Sequence, residues 1–197
     1  MVSERFATLI QRIDQLNRQD PNTELVNGVP MPRESVYSQR LTDWVLRLEP
    51  TASEALRIAA RGQHIQRWTI PRDRYERNRR GYLRWRETLK TFHAQQVTEL
   101  MAAAGYPDET IQQVRSLVVK RRPPDDAEAQ VLEDALCLVF FETQFADLRQ
   151  RTPEPAMVEA LRKMWKKMSE RGRAEALRLP LAEAERNVLT KAVAPSP

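Results

Sequence analysis

Leu132-Glu133-Asp134-Ala135-Leu136-Cys137-Leu138-Val139-Phe140-Phe141 is a long apolar run that two adjacent carboxylates enter side by side. Extended in both directions, residues 127–148 form a helical pattern that is apolar on nearly every side. Such a helix must be buried, so it reads as the centre of the fold. Around it, apolar residues recur at three- and four-residue spacing. Phe6, Leu9, Ile10, Ile13 and Leu16 mark an opening amphipathic helix, and Tyr37, Leu41, Trp44, Val45 and Leu48 a second, stopped by Pro50. Thr51-Ala52-Ser53-Glu54 reads as a capping box in which Glu54 reaches back to the cap, opening a third helix that runs through Ile65. Residues 66–80, mostly polar and interrupted by Pro71, read as a long ordered loop. Further helices are expected over 81–104, closed by Gly105, from Asp108 to the break at Pro123-Pro124, over 155–171 and over 181–192. No strand emerges. The expectation is an all-α fold, a single compact helical domain over residues 1–193 with a loose tail at 194–197.

Composition agrees with that picture. Hydrophobic residues make up 41% and charged residues 30% of the 197, the balance of a soluble globular protein. Five glycines against 13 prolines suit long helices cut by proline-marked loops. No apolar run approaches the roughly 20 residues that span a bilayer. Residues 1–12 alternate charge with apolar residues instead of forming a signal peptide's apolar segment. A single cysteine, Cys137, excludes an intrachain disulfide and reads as a small core hydrophobe. A cytoplasmic protein without a membrane partner is expected. The net charge of +5 is unevenly spread: Arg67, Arg72, Arg74, Arg77, Arg79, Arg80, Arg84 and Arg86 crowd one segment, interleaved with Trp68, Tyr75, Tyr82 and Trp85. Guanidinium forks match phosphates and carboxylates, and aromatic rings beside them suit stacking.

The two histidines define the candidate site. Leu56, Ala60 and His64 follow at four-residue steps, as do Leu89, His93, Val97 and Met101. Asp134 falls in line with Val131, Leu138, Phe141 and Phe145. Three helices thus each aim one ligand-type side chain inward. Buried imidazoles and a carboxylate need satisfaction, by a metal or by a plain hydrogen-bond network. Two imidazoles and a carboxylate with an open position match a catalytic zinc site, and equally a two-histidine, one-carboxylate iron site.

The order of these pieces resembles the HD-domain metalloproteins. Ala59-Ala60-Arg61-Gly62-Gln63-His64-Ile65 stands where the family has its His-Asp pair. Phe92-His93-Ala94 resembles the middle histidine helix, Val114 to Lys120 the next, and Leu132-Glu133-Asp134-Ala135 the last. That resemblance implies an HD-domain-like core with extra C-terminal helices, Asp134 as terminal ligand and Lys120 where some members carry histidine. The chain departs from the pattern: Tyr37-Ser38-Gln39-Arg40 holds no histidine, Gln63 replaces the histidine of the pair, and His64 replaces its aspartate. A closer resemblance spans nearly the whole chain. Tyr37-Ser38-Gln39-Arg40-Leu41-Thr42, Gln63-His64-Ile65-Gln66-Arg67-Trp68, Gly81-Tyr82-Leu83-Arg84-Trp85-Arg86 and Trp165-Lys166-Lys167-Met168-Ser169 are similar to the DUF4202 family, which brings no activity of its own.

The functional expectation is a metal-dependent hydrolase acting on a phosphorylated small molecule or nucleotide. His64, His93 and Asp134 would hold one divalent metal (Zn, Fe or Mn) and lower the pKa of its water. Glu133 would orient or deprotonate that water, and Arg67, Arg72, Arg84, Arg86 and Lys120 would bind the anionic substrate. The alternatives are a non-catalytic nucleotide- or RNA-binding module, a metal-dependent oxygenase on the same ligands, and an adaptor whose histidines complete the core.

Overall fold

The computed structural model describes residues 3–121, 123 and 125–194. Its elements are α1 (Glu4–Asn17), β1 (Thr23–Val26), β2 (Val29–Pro32), α2 (Arg33–Leu48), α3 (Glu54–Gly62) and α4 (Arg79–Ala103). There follow α5 (Asp108–Val119), α6 (Ala127–Thr143), α7 (Phe145–Arg151), α8 (Glu154–Lys167), α9 (Glu170–Arg178) and α10 (Glu183–Val193). The fold is all-α apart from one small hairpin. Pro124 of the expected proline break and residues 195–197 of the expected tail lie outside the described residues.

The apolar run forms the interior as its composition demands. On α6, Leu132, Ala135, Leu138, Val139 and Phe141 are buried against Leu41, Trp44, Val45 and Leu48 of α2 and Leu56, Ala59 and Ala60 of α3. Each fully buried aliphatic or aromatic side chain here contributes about 1.5–3 kcal/mol of transfer free energy. Trp44 meets the polar end of α6 by donating its indole N–H to Glu142 at 2.9 Å. Helices α8 and α9 pack on α6, and α10 packs on α8. Among the described residues, no helix is long and apolar enough to cross a membrane.

The structure differs from expectation at four places. Residues 127–148 are two helices: Thr143 donates back to the Val139 carbonyl, Gln144 leaves helical geometry, and α7 restarts with Phe145 fully buried. Residues 155–171 are also two helices, because Met168 turns extended and Ser169 caps α9 by accepting from the Gly172 amide. Thr23–Val26 and Val29–Pro32 pair antiparallel around Asn27 and Gly28, both at positive φ. Finally, Ser53 caps α3, but its own amide donates to Glu128 of α6, while Glu54 accepts from Ser3 and Tyr106. The α3 cap is completed across the core.

Helix α3 approaches α4 closely at Gly62, where an added Cβ would overlap Val97 Cγ2. Alanine for glycine in a helix ordinarily stabilises, by up to about 1 kcal/mol. Here it overpacks the interface. Gly62→Ala should therefore destabilise the protein by about 1–3 kcal/mol in urea unfolding, the opposite of its propensity effect.

Candidate functional site

The polar centre of the molecule begins at the first turn of α2. Asp20 clamps the base of the hairpin, one oxygen accepting from the Asn22 amide and the other from the Glu34 amide at 3.0 Å. That clamp fixes Glu34, which is 7% exposed, beside the turn after α3. His64 lies in this turn, two residues beyond the last residue of α3, rather than on the helix face that its spacing suggested. Its ring stacks on Tyr37 with centroids 4.0 Å apart and planes within 10°. Its Nδ1 lies 3.3 Å from Glu34 Oε2. Arg67 Nε lies 3.9 Å from the other Glu34 oxygen, and its guanidinium covers the Trp85 ring at 4.7 Å.

His93 projects inward from α4, its ring 5.8 Å from that of His64. Its Nδ1 lies 2.8 Å from the Ile65 carbonyl oxygen. A carbonyl only accepts, so Nδ1 carries the proton and Nε2 is a bare acceptor. That Nε2 is buried with no hydrogen-bond partner, and so is Gln63 Oε1, whose amide nitrogen donates to the Val118 carbonyl at 3.4 Å.

These side chains line a cavity of about 400 Å³. Its cationic walls are Arg67, Arg86, Lys90, Lys120, Lys163 and Lys167; its one acidic wall is Glu133; Tyr37, Tyr82, Trp85 and Phe140 supply rings. Lys90 and Lys163 also meet Glu87 and Glu159 outside the lining, so the net charge is positive but partly offset. A neighbouring cavity of about 550 Å³ shares Tyr37, His64, Arg67 and Gln144, and adds Glu34, Arg33, Asp147 and Arg151.

Burial and this field set the protonation states. Burial, helped by Arg67, Lys120 and Arg86, holds His64 well below its ordinary pKa. Burial and the neighbouring His64 bring His93 down to about 3, so both imidazoles are neutral at pH 7. Burial raises Glu34 to about 7 against the opposing pull of Arg67. Burial also pushes the Cys137 thiol up to about 12, which makes it inert.

The expected site residues divide into two groups. His64, His93, Arg67, Arg86, Lys120 and Glu133 share the cavity. Lys120 ends α5 in the left-handed conformation at φ 58°, a strained position for a side-chain-bearing residue, and its ammonium reaches Glu133 at 2.6 Å. Burial alone would raise Glu133, but Lys120 outweighs it and holds the carboxyl below its ordinary range. A paired carboxylate of this kind is a weak base, so Glu133 positions Lys120.

Asp134, Arg72 and Arg84 are placed elsewhere. Asp134 accepts from the Ser169 amide, the Ser169 hydroxyl and Gln130, and lies so close to Gly172 that any Cβ there would strike it. It is the socket that seats α9. Arg72 donates to the carbonyls of Tyr75, Glu76 and Asn78, bracing its own loop. Arg84 is exposed on α4. Among the described residues, no three His, Cys, Asp or Glu side chains are placed to share a metal ion. The donor set of the HD-type centre is thus not assembled, and no step below passes through a metal.

Glu34, Lys90, Lys163 and Lys167 are among the contributors missed. Glu34 carries no periodic signal, being the second residue of α2 and reaching His64 only through the hairpin clamp. Lys163 and Lys167 carried no site signal in the sequence, although their four-residue spacing on α8 places them together.

The arrangement defines a helical protein with a cationic, ring-lined cavity let into its polar core. The model of the family described as Domain of unknown function (DUF4202) matches residues 7–189, and the chain belongs to that family. No curated protein and no solved structure matches it.

Glu34 provides a pH test. Between its ordinary pKa of 4.5 and about 7, the folded protein keeps a proton that the unfolded chain gives up. Stability therefore falls as pH rises through that window. Glu34→Gln cannot ionise, so its stability relative to wild type should rise between pH 5 and pH 8, by roughly 2–3 kcal/mol at most. His93, which does not touch Glu34, acts in the opposite direction below 6.5 in both proteins. Urea unfolding at the two pH values reads the difference, and a pH-independent offset would mean that Glu34 is not held protonated.

Proposed function

We propose that this protein binds a phosphorylated small molecule of up to nucleotide size in the cationic cavity and hydrolyses its phosphate ester. The observation that carries the reading is the lining, with six cationic side chains against one carboxylate beside stacked rings in a recess of about 400 Å³. Lys120 and Arg86 hold the phosphate, and the rings of Tyr82 and Trp85 receive the organic portion.

Glu34 and His64 form the proton-transfer pair. Glu34 Oε2 and His64 Nδ1 are in contact at 3.3 Å without hydrogen-bond alignment, and a small turn of the carboxyl lets the ionised form accept from Nδ1–H, which leaves Nε2 as a base. When Glu34 is protonated it donates to Nδ1, and Nε2 then carries the hydrogen. A raised Glu34 pKa of about 7 makes both forms accessible near neutrality. In ester hydrolysis water adds to phosphorus, the P–O ester bond breaks, and the pair moves the water's proton to the departing oxygen.

The RNA-binding and oxygenase readings draw less support. Arg72 is spent on loop carbonyls and Arg67 on Glu34 and Trp85, and among the described residues no third His, Cys, Asp or Glu is placed with the two histidines to hold an oxygenase metal.

Calorimetric titration with inorganic phosphate and AMP, coupled to a phosphate-release assay on phosphate esters, tests the reading. Affinity should fall at least ten-fold in Lys120→Ala/Arg86→Ala, since hydrogen bonds to charged groups contribute about 1.5–3 kcal/mol each. His64→Ala should lower turnover about 10²-fold or more while leaving affinity within a few-fold. Absence of phosphate affinity in the folded wild type, or unchanged turnover in His64→Ala, would refute it.

A further inference from the structure

The cations of the cavity and its bare acceptors occupy different depths. Lys120, Arg86, Lys163 and Lys167 are exposed, whereas Gln63 and His93 are 6% and 2% exposed. Gln63 Oε1 and His93 Nε2 are both buried without a hydrogen-bond partner, and both residues line the cavity. Neither can turn its polarity around. The Ile65 carbonyl holds the His93 proton on Nδ1, and the Val118 carbonyl holds the Gln63 amide nitrogen on its own side. The inner wall thus presents two lone pairs that no donor meets, behind a positively charged mouth.

Two kinds of ligand could satisfy a nitrogen and an amide oxygen: a cation or an uncharged hydrogen-bond donor. The surrounding charge decides between them. Arg67, Lys120 and Arg86 already oppose a single proton on His64, and Arg67 opposes one on His93. A divalent ion would meet the same repulsion doubled. An uncharged N–H or O–H meets none of it.

We infer that the ligand is a phosphate ester whose organic part carries uncharged N–H or O–H groups, as nucleoside and sugar monophosphates do, and that these donate to Gln63 Oε1 and His93 Nε2. The inference rests on the phosphate reading of the cavity mouth and adds the discriminating contact of the inner wall. The specificity follows from burial. A ligand with no donor leaves both acceptors buried and unpaired, and sites built to hydrogen-bond a substrate reject such analogues strongly.

The test titrates protein labelled with ¹⁵N at histidine with methyl phosphate, ribose 5-phosphate and AMP, each by calorimetry and by the His93 Nε2 resonance. All three should bind. Ribose 5-phosphate, AMP or both should bind at least ten-fold more tightly than methyl phosphate, and only the tighter ligands should shift Nε2 away from the position of an unbonded acceptor. In Gln63→Met that advantage should shrink at least three-fold while methyl phosphate affinity holds within about two-fold. The resonance is read on wild-type protein, so the test survives a variant that does not fold. Equal affinity for all three with an unmoved His93 resonance overturns the inference and leaves the phosphate reading standing. Binding of none overturns the phosphate reading and the inference with it. A Nε2 shift on adding Zn²⁺ alone, with metal bound stoichiometrically, would show that the acceptors are metal ligands and overturn it as well.

Discussion

Positive charge held beside buried imidazoles organises this protein. A histidine in a helical interior is neutral only if ionisation costs more there than in water, and here burial and nearby cations both raise that cost. Burial, then Arg67, Lys120 and Arg86 keep the proton off His64, while burial lets Glu34 keep one at a pH where an ordinary carboxyl has lost it. The result is a neutral imidazole whose Nδ1 lies 3.3 Å from a carboxyl oxygen of raised pKa, beside a cavity lined mostly by cations. The same charge is the ground for the proposal that the cavity takes a phosphate rather than a cation.

The backbone is bent to hold this arrangement. Asn27, Gln66 and Lys120 are the non-glycine residues at positive φ among those described. Asn27 belongs to the hairpin turn, where such a φ is ordinary for asparagine. Lys120 lines the cavity, and Gln66 lies in the turn between His64 and Arg67, which do. Gln66 follows Ile65, whose carbonyl fixes the His93 tautomer, and Lys120 carries the ammonium that meets Glu133. Strain of this kind persists where surrounding contacts over-determine it, here at one residue of the cavity wall and one in the turn that carries His64. The second carboxylate of the pair on α6 serves a different end: Asp134 faces away from the cavity and seats α9, so neighbouring acids on one helix divide between site and scaffold.

Much of the fold was legible because its signals are periodic. The helical spacing from Phe6 to Leu16 and from Tyr37 to Leu48 became α1 and α2, and the apolar run became the core. The hairpin was missed although Asn27-Gly28 between two short apolar segments is a strong turn signal, because Pro30 and Pro32 argued against a strand. As an isolated exposed ribbon it tolerates them. The breaks at Gln144 and Met168 left no trace in hydrophobic spacing, since Phe145 and Met168 at the breaks are themselves buried. At the site, His64, His93 and Lys120 were legible by type and position. The pairing of His64 with Glu34 was not, because it depends on a hairpin clamp fourteen residues away in the chain. Asp134 misled for a related reason: its burial was readable, but its partner Ser169 was not.

The most direct measurement is the position of a heavy anion in crystals of the protein. Tungstate mimics phosphate in charge and shape and is located by its anomalous signal. The account places it in the cavity, within hydrogen-bond distance of Lys120 and Arg86. Tungstate found only on the exposed arginines of α4, with the cavity free of it, would contradict the account.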